Sequence, residues 1–108
     1  VIDWGTTVRE LSGPCGLITT KSVSLDGGLT SGSFTFISPK KLVSLQAYNG
    51  GSVPSTLTFT CADNPDKVFS VPNKQIVTIA TDWTNPCTSV TIQSSNGNFT
   101  NYDNLVVE

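Results

Sequence analysis

The sequence predicts an all-β domain folded as an antiparallel β-sandwich, and three observations carry that prediction. Apolar and polar residues alternate with a period of two along most of the chain, which is typical of strands that bury one face. Turn-forming pairs of Gly, Pro, Asn and Asp interrupt these runs at short intervals, as in sandwiches and barrels. No segment carries an apolar stripe long enough for an amphipathic helix of three turns.

We expect about eight to nine strands from this pattern. The alternation is clearest at 56–61, where Leu, Phe and Cys alternate with Thr. The segments 67–71 and 75–80 face each other across a short turn and are expected to form a β-hairpin. The stretch 5–18 is expected to be irregular. The predicted strands lie near residues 1–4, 19–25, 33–37, 42–48, 56–61, 67–71, 75–80, 88–93 and 102–107.

Composition limits the class of protein. A chain of 108 residues has room for one domain, expected to span 1–108. Only 13% of the residues are charged and the net charge is -2, so no basic surface is expected for nucleic acid or an anionic membrane. No apolar run reaches the length that a bilayer requires. Because the sequence contains no Met, we expect it to be a piece of a longer protein.

A catalytic function is not expected. The sequence contains no His, which removes the commonest general base. Paired carboxylates could in principle hydrolyse a glycoside, but a domain of this size has little room for a cleft that would bury and tune them. We therefore expect a protein that binds rather than catalyses.

The three cysteines predict one disulfide. Cys61 closes one predicted strand and Cys87 opens another, and an Asn-Pro turn lies beside each. This matched placement favours a Cys61–Cys87 disulfide, with Cys15 as a free thiol, and therefore an oxidising compartment and secretion. The alternative is three buried thiols in a cytosolic protein.

Asp103 is the candidate metal ligand. It shares strand parity with Leu105 and Val107, which predicts that its side chain points inward. An inward carboxylate must be paired, hydrogen-bonded or bound to a metal. One interpretation is a calcium ion held by Asp103 and backbone carbonyls. The other is a carboxylate that caps backbone amides at the end of a strand.

Tyr48 and Trp83 are the candidate platforms for a sugar ring. Tyr48 has the parity of the outward Ser44, and Trp83 lies in a polar loop, so both rings are expected at the surface. A flat ring can cover the C–H face of a sugar while amides bond its hydroxyls. For Trp83 the alternative is a lid over the disulfide. The amides expected to assist are those of Gln46, Asn49 and Asn96.

Three motifs carry a resemblance to a known family. The chain opens with VIDW at 1–4, continues with LVSLQAYNGG at 42–51 and closes with SSNGNFTNYDNLVV at 94–107. Together they resemble bacterial galactose-binding-like jelly-roll modules that are appended to secreted glycoside hydrolases. The resemblance implies a jelly-roll sandwich, a non-catalytic carbohydrate-binding function and a structural calcium near Asp103. It also implies a parent glycoside hydrolase in the same chain.

Two functions follow as expectations. The first is a secreted carbohydrate-binding module that targets an enzyme to polysaccharide of the plant cell-wall β-glucan or xylan type. The second is a structural or adhesive β-sandwich that spaces domains of a cell-surface protein. An exposed aromatic pair at Tyr48 or Trp83 would favour the first function. A surface covered by hydroxyls without such rings would favour the second.

Overall fold

The computed structural model describes residues 2–3, 8–10, 23–25, 29–62, 64–96 and 100–108, with the backbone alone at 2–3, 8–10 and 23–24. Within these residues the chain forms ten β-strands and no helix, which confirms the all-β prediction. The strands are β1 (Ile2–Asp3), β2 (Val8–Glu10), β3 (Val23–Leu25), β4 (Ser31–Lys40), β5 (Leu42–Asn49), β6 (Ser55–Cys61), β7 (Lys67–Val71), β8 (Ile76–Ala80), β9 (Cys87–Ser94) and β10 (Thr100–Val107).

These strands form two five-stranded antiparallel sheets. The order is β1-β4-β9-β6-β7 in the first, sheet A, and β2-β3-β10-β5-β8 in the second, sheet B. One cluster of buried apolar side chains draws members from both sheets, as in a β-sandwich. At its centre Phe59 of sheet A meets Tyr102 of sheet B edge to face, with 6.3 Å between the ring centroids.

The period-two pattern places the core where the sequence predicts it. Along β6 the buried Leu57, Phe59 and Cys61 alternate with Thr side chains that are exposed or half-buried. Phe34 and Phe36 of β4 are buried in the same way. The strand without a counterpart in the prediction is β2, which lies in the stretch expected to be irregular. Its three residues are too few to show a period-two alternation in the sequence.

The predicted hairpin at 67–80 is wrong. β7 pairs with β6 in sheet A, whereas β8 pairs with β5 in sheet B. The turn between them is tied to β5, because Lys74 N donates to Asn49 O at 2.7 Å and Asn49 N donates to Gln75 O at 3.1 Å. A hairpin and an arch that crosses between two sheets both consist of a short turn between alternating runs. The sequence pattern therefore cannot separate them.

The predicted disulfide is confirmed. Cys61 and Cys87 are bonded, with 5.9 Å between their Cα atoms and a sequence separation of 26. The bond joins the end of β6 to the start of β9, which are neighbours in sheet A. Asn64 bridges the same region, since its Nδ2 donates to Asn85 O at 3.0 Å. The predicted free thiol, Cys15, lies outside the described residues.

Candidate functional site

Tyr48, the first predicted sugar platform, is not exposed. Only 8% of its surface is accessible, and it lies near the end of β5 between Ile76 of β8 and Asn101 of β10. Its neighbour Ala47 is also buried, so both faces of sheet B are covered at this point. Parity correctly assigns Tyr48 to the face opposite Ala47. It does not reveal whether that face is open to solvent, and the expected exposure is wrong.

Trp83, the second predicted platform, is part of the core. Its accessible surface is 3%, and it belongs to the same cluster of buried side chains as Cys61 and Cys87. The indole Nε1 donates to Pro65 O at 2.7 Å. This satisfies the polar atom of the ring, as a buried Trp requires. The expected exposure is therefore wrong, and the arrangement fits the alternative of a lid over the disulfide.

The loop that holds Trp83 is anchored by Thr81. The Thr81 hydroxyl donates to Leu42 O and accepts a hydrogen bond from Trp83 N at 3.3 Å. These contacts are at the beginning of β5, whereas Tyr48 is near its end. From Val43, the residue after Leu42, to Tyr48 the extended β5 strand advances five residues, which places their Cα atoms about 17 Å apart. The two rings therefore do not form one site.

Two of the predicted sugar-binding amides are engaged inside the protein. Asn49 has no accessible surface. Its Nδ2 donates to Val53 O at 2.7 Å and Val71 O at 3.0 Å, and its Oδ1 accepts from Gly51 N at 2.9 Å. Asn96 is half-buried, and its Nδ2 donates to Asn49 Oδ1 at 2.7 Å. Neither amide is the surface group that the sequence led us to expect.

Three hydroxyls complete this cluster, and sequence reasoning missed them. Asn96 Oδ1 accepts from Thr100 Oγ1 at 2.7 Å and from the hydroxyls of Ser55 and Ser94, each at 3.1 Å. Thr100 Oγ1 also lies 3.2 Å from Ser55 Oγ. Ser55 shares strand parity with the buried Leu57. A hydroxyl at an inward position was thus the available signal for a buried polar network. We call Asn49, Ser55, Ser94, Asn96 and Thr100 the amide–hydroxyl network.

Tyr102 lies beside this network. Its hydroxyl is close to Ser94 but forms no hydrogen bond of normal geometry with any described residue. Burial raises the pKa of the phenol well above its ordinary value of 10.0, and the neighbouring Ser94 lowers it by less. Tyr102 therefore stays neutral at ordinary pH, and its ring is part of the core.

Asp103 does not point inward as predicted. In register, Tyr102 pairs with Ala47 and Asp103 pairs with Gln46. Since Tyr102 and Ala47 are core residues, Asp103 and Gln46 lie on the opposite face. The parity argument counted back from Leu105 across an irregularity that the sequence does not show.

The irregularity is a β-bulge at Asn104. Asp103 pairs with Gln46 and Val106 pairs with Ser44, so β10 takes three steps where β5 takes two. Asn104 has a φ of 54°, a left-handed conformation that Asn tolerates. The extra residue reverses the parity, which is why Leu105 packs against the core while Asp103 does not.

The carboxylate of Asp103 fits the interpretation in which it caps a backbone amide. Asp103 is half-buried, and its Oδ1 accepts from Asn104 N at 2.8 Å. Gln46, the remaining predicted sugar ligand, is also half-buried and accepts from Asn104 Nδ2. Among the described residues no three His, Cys, Asp or Glu side chains lie close enough to hold a metal ion. Calcium at this position stays a prediction.

Among the described residues, two shallow surfaces could contact a ligand. A groove of about 410 Å³ crosses the outer face of sheet A and is lined mainly by hydroxyls and one amide. We call it the hydroxyl groove. Its lining residues are Thr30, Ser31, Thr56, Thr58, Gln93, Ser94 and Ser95. A second recess of about 280 Å³ lies at the other end of β5, beside the Lys41–Glu108 ion pair of 2.8 Å.

Comparison of the chain with protein-family models, with curated proteins and with solved structures found no match. The resemblance to galactose-binding-like modules therefore rests on its motifs alone and stays a prediction. In the part of the chain that is described, no helix could span a membrane.

Proposed function

We propose that the chain is a structural or adhesive β-sandwich domain of a secreted or cell-surface protein, without catalytic activity. One observation carries the proposal: both rings expected to contact a sugar are buried, and Asn49 and Asn96 are committed to internal hydrogen bonds. These side chains stabilise the fold instead of presenting a ligand site. We also propose that the strands of the sandwich follow a jelly-roll topology.

The surface and the cross-link support this function. Exposed positions on β4, β6 and β9 carry mainly Ser and Thr, so the surface is hydrated without being strongly charged. The Cys61–Cys87 bond is compatible with an extracellular location. A disulfide across a loop of this length stabilises a fold by about 3–4 kcal/mol in the chain-entropy model, which suits a domain exposed to proteases and mechanical load.

The second candidate is the carbohydrate-binding module, targeting a glycoside hydrolase in the same chain to β-glucan or xylan. The observation that favours it is the hydroxyl groove, where Thr58 and Ser31 both pair in register with Gln93. Hydroxyl and amide groups donate and accept hydrogen bonds, as the hydroxyls of a neutral polysaccharide also do. Without an exposed ring each contact is weak, about 1 kcal/mol net.

Affinity electrophoresis separates the two functions. The wild type is run through gels that contain soluble β-glucan, xylan or no polysaccharide. The first proposal predicts equal mobility in all gels. Retardation that is lost in a Thr58→Ala/Gln93→Ala variant would overturn it in favour of the module. The matched control is Thr35→Ala/Ser89→Ala, because these residues are register partners on the same sheet and lie outside the groove.

A further inference from the structure

The dipeptide Asn49–Gly50 contains both reactants of asparagine deamidation. In this reaction the backbone nitrogen of the following residue attacks the side-chain Cγ of asparagine, and the side-chain nitrogen leaves as ammonia. A glycine after asparagine favours the attack, because it has no Cβ to hinder the nitrogen or to restrict the backbone. Asn49 is the last residue of β5, and Gly50 begins the connection to β6.

The fold holds every polar atom of the Asn49 side chain. Nδ2 donates to Val53 O at 2.7 Å and to Val71 O at 3.0 Å, which uses both of its hydrogens. Oδ1 accepts from Gly51 N at 2.9 Å and from Asn96 Nδ2 at 2.7 Å. Asn49 has no accessible surface, so water and hydroxide do not reach its side chain in the closed structure.

The backbone of Asn49 is also held in a conformation that prevents ring closure. In an extended strand ψ is about +135°, which turns the next backbone nitrogen away from the residue's own side chain. To bring Gly50 N against Cγ, the Cα–C bond of Asn49 must rotate. This rotation moves Asn49 O, which accepts from Lys74 N at 2.7 Å, and it also requires Asn49 Nδ2 and Oδ1 to leave their partners. Deamidation at Asn49 therefore requires local opening.

We infer that Asn49–Gly50 is a latent self-modification site, which the amide–hydroxyl network keeps inactive until this end of the sandwich opens. In the open state Gly50 N loses its proton to hydroxide and bonds to Cγ of Asn49. The Cγ–Nδ2 bond breaks, and the nitrogen leaves as ammonia with a proton from water. Water then hydrolyses one of the two C–N bonds of the cyclic imide, which gives aspartate or isoaspartate. The inference goes beyond the proposed function and does not depend on it.

The product makes the opening permanent. Aspartate at position 49 has no N–H to donate, so Val53 O and Val71 O would face carboxylate oxygens in a buried place. Isoaspartate also lengthens the backbone by one atom, at the position where Asn49 pairs with Thr100 of β10. Either product prevents this end from closing as before. The reaction therefore limits the lifetime of a domain that is held open.

Peptide mapping of the wild type tests whether closure blocks the reaction. Native protein and urea-unfolded protein, both with the disulfide intact, are incubated at mildly alkaline pH, and aspartate and isoaspartate at position 49 are measured by mass spectrometry. We expect the native rate to be about a hundredfold lower, because only the open fraction reacts. Urea below the unfolding transition should raise the native rate. Equal rates in native and unfolded protein would overturn the inference.

A substitution at Asn96 tests whether the network is the lock. Asn96→Asp removes the donor to Asn49 Oδ1 and should raise the native rate at Asn49 about tenfold, as expected for the loss of one buried hydrogen bond. Gln93→Glu is the matched control, because it makes the same change from amide to carboxylate at an exposed position outside the network. It should react like the wild type. Equal rates in the two variants would show that the network is not the lock.

The wild-type comparison needs no substitution, so it decides the inference even if Asn96→Asp does not fold. Ser94→Ala is a milder second variant, which removes one hydroxyl that donates to Asn96 Oδ1 and should raise the rate at Asn49 by a smaller factor. Mapping also separates position 49 from position 96, where a glycine follows asparagine as well.

The effect of the product is tested with Asn49→Asp. We expect this variant, like aged protein modified at position 49, to unfold at a lower urea concentration than the wild type. Asn73→Asp adds the same charge at an exposed position and should keep the wild-type midpoint. If Asn49→Asp unfolds at the wild-type midpoint, the modification does not prevent closure and the inference is wrong.

Discussion

At the scale of single residues, Tyr102 shows how the core accommodates a polar atom. Its ring packs against Phe59, while its hydroxyl is buried beside Ser94 without a hydrogen bond of normal geometry to a described residue. A buried hydroxyl without a partner costs about 1–3 kcal/mol. Ser94 does not depend on it, because Ser94 Oγ already donates to Asn96 Oδ1.

Replacing Tyr102 by Phe should therefore leave the free energy of unfolding unchanged or raise it by about 1 kcal/mol at pH 7. It should also change the pH dependence. The phenol has a higher pKa in the folded than in the unfolded chain, so above about pH 10 the unfolded chain loses this proton first and stability falls. Urea denaturation of both proteins between pH 8 and pH 11 measures this. A wild type and variant that lose stability in parallel would contradict the burial of Tyr102.

Asp103 is the residue on which the sequence argument failed, and its role can be measured. We expect Asp103→Ala to lower the free energy of unfolding by about 0.5–1.5 kcal/mol, because Asn104 N loses its acceptor. Asp103→Asn keeps an oxygen at the same place and should lose less. The calcium hypothesis predicts something else. A chelator would lower the melting temperature of the wild type, calcium would restore it by mass action, and Asp103→Ala would abolish that response.

At the scale of strands, the amide–hydroxyl network ties together elements of both sheets. Asn49 ends β5 of sheet B, and through Asn96 it is linked to Ser55 at the start of β6 and Ser94 at the end of β9, both in sheet A. Its bond to Val71 O reaches the end of β7. The buried side-chain amide of Asn49 therefore connects strands of both sheets at this end of the sandwich.

We expect Asn49→Ala to lower the free energy of unfolding by about 2–4 kcal/mol, because Val71 O and Gly51 N lose their partner in a buried place. The control is Asn73→Ala, which removes an exposed amide outside the network and should cost less than about 1 kcal/mol. Chemical denaturation followed by fluorescence compares the two. Similar losses for both variants would show that the network does not close this end of the sandwich.

The strands themselves were largely predictable, because the two faces of a half-buried strand appear in the sequence as alternating apolar and polar residues. β6 is the clearest case. Connections were harder to predict. The arch from β7 to β8 and the bulge at Asn104 depend on which sheet each strand joins, and that choice is made by contacts distant in sequence. The same limit explains why the predicted exposure of Tyr48 and Trp83 was wrong, because the exposure of a side chain depends on which other parts of the protein cover it.

At the scale of the whole molecule, one core joins the two sheets, the disulfide and the loop that holds Trp83. The low charge content and the hydroxyl-rich surface were visible in the composition. The disulfide was predictable because both cysteines lie at strand ends beside similar turns. The functional assignment was less accessible, since Asn, Trp and Tyr serve equally well as sugar ligands or as parts of a core.

The most direct test of this account is the thermodynamic role of Trp83. If the ring belongs to the core, Trp83→Ala removes a large buried side chain and should lower the free energy of unfolding by about 3–5 kcal/mol. Urea denaturation of the wild type and the variant, both with the Cys61–Cys87 bond intact, measures this difference. A loss of that size supports a structural Trp83. A variant as stable as the wild type would contradict it, and would return the ring to the surface as a sugar platform.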